Sequence, residues 1–197
     1  AGSGIGRAFA LEIARRGGAV LCSDINESSL NDTVNTIETE GGEAFSLACD
    51  VSKLGEVQQL AREAEKALPG PVDLVVNNAG VQQAIPLMET TEADWDRHMD
   101  VNAKGTFFVA KHVAASMIDD GIEGSVVNIS SVGAERPFAG QGAYGASKAA
   151  VLAFTTVLAK ELAEHGITAN AIKPATVDTP MVKQWLEERS EQYDKTE

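Results

Sequence analysis

Ala1-Gly2-Ser3-Gly4-Ile5-Gly6 opens into helical spacing over 7–16, and the next apolar run, 19–23, ends on Asp24. Glycines so spaced let a backbone approach a pyrophosphate at a helix N-terminus. An acidic residue closing the following strand, eighteen residues after Gly6, can accept hydrogen bonds from an adenosine ribose. Each feature alone has an ordinary alternative: a loop with three glycines, and a turn or cap aspartate ahead of Asn26 and Ser28. A turn of this kind normally follows a strand that aims it. The pattern therefore implies a preceding central strand outside the 197 residues, which alone are expected to be neither stable nor active.

Further along, 44–48, 72–76, 126–129 and 168–172 read as buried strands, and 53–68, 101–118 and 147–164 carry helical spacing. Leu54, Val57, Leu60, Ala61, Ala64 and Leu68 form one apolar stripe. Strands alternating with helices imply parallel crossovers. The fold class is α/β, a Rossmann-like doubly wound parallel sheet, in a single domain over 1–197. Asp24, Asp50-Val51 and Asn77-Asn78-Ala79-Gly80 all fall at strand ends, on the one edge where such sheets bind ligands. From Met181 the chain is polar and acidic around Trp185 and Leu186, suggesting an amphipathic helix that begins a lid over 181–197.

Sixteen basic and 29 acidic side chains leave a net charge of −13, which repels phosphate backbones and anionic lipid. Nucleic acid and membrane are therefore not expected partners. Cys22 and Cys49 sit in apolar runs with no metal or redox spacing and read as buried thiols. His98, His112 and His165 are scattered, and no metal site is expected. No apolar stretch reaches spanning length and no signal-peptide pattern opens the chain, so a cytoplasmic location is the default.

The chemistry concentrates between Asn128-Ile129-Ser130-Ser131 and Tyr144-Gly145-Ala146-Ser147-Lys148. Tyr144 and Lys148, four apart, share a helix face. A free phenol, with a pKa of about 10, is a poor base at neutral pH. A neighbouring ammonium favours the phenolate and brings it toward useful acid–base range. Ser131, at a strand end, can hold a carbonyl or alcohol oxygen. An exposed lysine beside a half-buried tyrosine is the bland alternative.

Taken together, Gly4-Ile5-Gly6, Asn77-Asn78-Ala79-Gly80, Asn102, Ser131, Tyr144 and Lys148 resemble the short-chain dehydrogenase/reductase family in matching order, with Ser131 at the usual thirteen residues before Tyr144. The resemblance covers essentially the whole chain. It implies that Tyr144 is the general acid/base, that Lys148 lowers its pKa and binds the nicotinamide ribose, and that Ser131 bonds the substrate oxygen. Asn102 would hold a water of the proton relay. Ser3, Gly4, Ile5 and Gly6 would cradle the pyrophosphate, and Asp24 the ribose. Asp50, Val51, Asn78, Ala79 and Gly80 would line the adenine and ribose side, with Val177 and Thr179 at the nicotinamide carboxamide. Three features depart from the family. The Thr-Gly before the glycine turn is absent, Ala175 follows Pro174 where glycine is usual, and the chain stops at Glu197 within the lid region.

The expected activity is hydride transfer between NAD(H) and a small secondary alcohol or ketone, in a homodimer or homotetramer built on the apolar stretches 101–118 and 149–159. Two alternatives stand beside it: an NADPH-dependent ketoreductase, for example of ketoacyl groups, and a catalytically silent nucleotide-binding protein on the same fold. The neutral Ser3 and Ile25, where a basic residue would suit NADPH, count against the first. The presence of Ser131, Tyr144 and Lys148 counts against the second.

Overall fold

The structure, a computed structural model, describes residues 1–194. Five parallel strands alternate with helices: α1 (Gly4–Arg15), β1 (Val20–Asp24), α2 (Glu27–Thr39), β2 (Ala44–Ala48), α3 (Leu54–Ala67) and β3 (Leu74–Asn77). Then follow α4 (Glu92–His98), a wide π-type turn over Met99–Gly105, α5 (Thr106–Asp119), β4 (Ser125–Ile129), α6 (Gly142–Glu161), β5 (Thr168–Ile172) and α7 (Pro180–Asp194). The strands of the sequence reading are all present, β2 and β5 at the expected limits and the other three shifted by one or two residues.

They form two parallel sheets among the described residues, β1-β2 and β3-β4-β5. The glycine turn reaches both. Gly2 N–H donates to the Asp24 carboxylate at the end of β1 (2.8 Å), and a Cβ placed on Gly6 would lie 2.6 Å from Asn78 Nδ2 just beyond β3. Two apolar clusters hold the layers. Leu30, Val34 and Ile37 of α2 pack with Cys22 and α1, while Val57, Val109, Val113 and Met117 pack with Val126 and Ile167. Both cysteines are buried and free.

Three expected helices differ most from their observed limits, the first being α1, which starts three residues early at Gly4. The helix expected over 101–118 is in fact a wide turn followed by α5, and α6 starts at Gly142, five residues before the expected start, so that Tyr144 lies in its first turn. Of the stretch 181–197, residues 181–194 lie in α7 and 195–197 lie outside the described residues. No helix of the described residues is long and apolar enough to cross a membrane.

Candidate active site

Tyr144 and Lys148 leave one face of α6, and both are buried, at 8% and 4% exposure. Ser131 follows β4, where its Oγ accepts from Gly133 N–H at 3.0 Å and faces the same cavity as the Tyr144 side chain. Burial raises the Tyr144 pKa and the Ser131 hydroxyl draws it partly back, leaving it above its ordinary value. Lys148 Nζ donates to the Ile129 carbonyl at 2.8 Å, and burial lowers its pKa to about 8. In this arrangement the downward pull on the phenol thus comes from Ser131 rather than from Lys148.

Asn102 is buried within the wide turn. Its Oδ1 accepts from Val81 N–H (2.7 Å), while Nδ2 donates to the Val81 carbonyl (2.9 Å) and to Ser147 Oγ (3.0 Å). Ser147 in turn donates to the Tyr144 carbonyl at 2.7 Å, so one amide ties the strand-end loop to the helix turn that carries the tyrosine. His98, one turn before Asn102, was not singled out by sequence reasoning. It is 1% exposed, its Nδ1–H donates to the Asp94 carbonyl (2.7 Å), and its ring meets Tyr144 edge to face at 6.5 Å. Its spacing from Asn102 was the one available signal.

A cavity of about 160 Å³ opens beside the tyrosine. Of the expected residues, Ser3, Gly4, Ile5, Asn78, Gly80, Ser131, Tyr144, Lys148, Val177 and Thr179 line it. Gly4 adopts φ +53°, and a Cβ there would lie 3.3 Å from Thr179 Cγ2. The glycines therefore keep the start of α1 open, where unpaired N–H groups suit a pyrophosphate. These residues fit a dinucleotide.

Gly6, Asp24, Asp50, Val51, Ala79 and Asn102 lie outside the cavity lining. Asp24 sits by the glycine turn. Burial disfavours its charge, while hydrogen bonds from the Asn26 and Gly2 N–H groups favour it. Asp50 is engaged locally by Ser52 Oγ (2.6 Å) and Lys53 (3.4 Å). Val51 packs against Gly105, where an added Cβ would meet Val51 Cγ2 at 2.8 Å. Sequence reasoning gave Gln141 no role and read Trp185 only as part of an amphipathic helix. Both are buried and line the cavity. Trp185 packs on Phe138 (5.8 Å), with the Arg189 guanidinium 4.6 Å from the Phe138 ring, which seats α7 over the site.

The short chain dehydrogenase family model matches residues 1–190. The chain belongs to the short-chain dehydrogenase family. It is 36% identical over 194 residues to the mouse (Mus musculus) (3R)-3-hydroxyacyl-CoA dehydrogenase, covering 95% of this chain and 75% of that protein. It is 40% identical over 187 residues to the short-chain reductase protein NovJ of Streptomyces niveus, covering 95% and 70%. Among solved structures, a variant of actinorhodin polyketide ketoreductase with NADPH superposes with a TM-score of 0.93 at 34% identity, covering 98% of this chain and 74% of that one. This short-chain dehydrogenase is accordingly an oxidoreductase that transfers hydride between a nicotinamide cofactor and an alcohol or ketone.

Proposed function

We propose that the protein is an NAD(H)-dependent dehydrogenase of secondary alcohols, or reductase of the matching ketones, with Tyr144 as general acid/base. The observation that carries this reading is that Ser131, Tyr144 and Lys148 line one cavity whose wall is the open glycine turn. NAD bound along that turn supplies the hydride acceptor. Ser131 Oγ holds the substrate oxygen and Tyr144 Oη takes its proton during oxidation or returns it during reduction. Lys148 binds ribose.

Asn102 connects this centre to solvent. A Cβ on Gly80 would lie 3.2 Å from Asn102 Oδ1 and 3.4 Å from Lys148 Nζ, so a relay between them has a short way to run. NAD is favoured over NADP because the Asp24 carboxylate, held ionised at the glycine turn, would face the 2′-phosphate. The NADPH-bound ketoreductase relative motivates the opposite choice, which Asp24 argues against.

Tyr144→Phe tests the reading. Turnover of secondary alcohols should fall at least about a thousandfold, within the range of acid–base catalysis, while NADH still binds. A variant with near-normal turnover would move the proton transfer to another group.

A further inference from the structure

Beside the substrate cavity lies a second, polar one of about 310 Å³. The two share Gly80, Val81, Gln82 and Met181, so a substrate held at Ser131 and Tyr144 has a direct way into it. Its other walls are Gln83, Arg97 of α4, and Pro180, Gln184 and Glu188 of α7. We propose that this cavity receives an anionic group of the substrate itself, a carboxylate or phosphate several bonds from the carbinol carbon, with Arg97 as the residue that selects it. The inference rests on the dehydrogenase reading of the first cavity and adds a substrate class to it.

Arg97 carries the argument. Its one hydrogen bond is to Gln83 Oε1 at 3.5 Å, long for a charge-assisted contact, and no ion pair engages it among the described residues. The nearby carboxylate, Asp94, is committed to the Thr91 cap, accepting from Thr91 Oγ1 (2.6 Å) and Thr91 N–H (2.9 Å). A guanidinium offers parallel N–H donors that match a carboxylate or phosphate. In a protein of net charge −13, that local cation gives an anionic ligand a favourable place to settle.

Glu188 shares the cavity and limits where the anion can sit. Its Oε2 accepts from Ala84 N–H (3.1 Å) and its Oε1 from Gln184 Nε2 (2.9 Å), so its charge stays on the α7 wall. The anion belongs on the Arg97 side, and removing the Glu188 charge should strengthen its binding.

The test uses two matched pairs of alcohols with NAD⁺, read as kcat/KM. One pair is 6-hydroxyheptyl phosphate and its dimethyl ester. The other is 7-hydroxyoctanoate and its methyl ester. The anionic member of one pair should be preferred at least about tenfold, which also tells a phosphate from a carboxylate source. Arg97→Gln should bring that ratio close to one, mainly through KM, and Glu188→Gln should raise it. Added salt should shrink the ratio in the parent protein. Turnover with no charge preference in either pair, or a ratio that Arg97→Gln leaves intact, overturns the anion site and leaves the dehydrogenase reading standing. No turnover of any of the four overturns that reading and the inference with it.

Discussion

Lys148 should make the protein less stable at neutral pH than it would be without the charge. The ammonium is buried and its pKa falls from 10.5 to about 8. At about 1.4 kcal/mol per pH unit this is a cost of about 3 kcal/mol to the native state. The sign follows from proton counting. Between pH 8 and 10.5 the unfolded chain keeps the lysine proton and the native protein does not, so stability rises with pH across that window. Below pH 8 the full cost is present. Lys148→Met keeps the aliphatic stem and removes the charge, but also loses the 2.8 Å bond to the Ile129 carbonyl. That lost bond costs about 1 kcal/mol, leaving a net gain of about 2 kcal/mol at pH 7. Urea unfolding followed by circular dichroism at pH 7 and pH 10 measures the gap between parent and variant. The variant should be the more stable at pH 7, with the gap closing toward pH 10, and should have lost turnover. Parallel pH dependences for the two proteins would show that Lys148 titrates as it does in water.

Three further outcomes are expected. The parent should prefer NAD to NADP by more than about tenfold, since half of a roughly 4 kcal/mol repulsion at 4 Å suffices, and Asp24→Ser should narrow the ratio of the two kcat/KM values. Equal use of both cofactors by the parent would mean that Asp24 does not meet the ribose. Gly105→Ala should destabilise by about 1–3 kcal/mol, because its Cβ would lie 2.8 Å from Val51 Cγ2 and 2.9 Å from the Val51 carbonyl; a thermal melt unchanged within a degree would refute the contact. Light scattering at micromolar concentration should report a dimer or tetramer, given that α5 and α6 leave Phe107 40% and Val157 50% exposed; a monomer would refute it.

Apolar runs of four or five residues made all five strands legible, and the tyrosine–lysine spacing located the candidate site. Helix α2 was not legible. Its buried stripe is Leu30, Thr33, Val34 and Ile37, and the threonine with the surrounding Asn, Asp and Glu breaks the apolar period. Thr33 is satisfied there by its own helix and the Ala1 carbonyl, contacts that no pattern announces. Helix α4 has only seven residues, too few for a period, although its Thr91–Asp94 capping box is written in the sequence. The contacts of Asn102 with Val81 and Ser147, and of His98 with Tyr144, join residues far apart in the chain and arise only from packing.

The wide turn at Met99–Gly105 also sets the phase between two helices with different duties. Upstream, α4 turns His98 onto the tyrosine; downstream, α5 turns Val109, Val113 and Met117 into the core. Each residue of a helix advances its face by about 100°. Deleting one residue from the turn would therefore leave His98 where it is and swing the apolar stripe of α5 by more than a quarter circle, carrying it off Val126 and Ile167. The length of this segment is thus constrained more tightly than its composition. Exposed Lys104 can change its side chain, whereas the number of residues between His98 and Thr106 has to stay at seven.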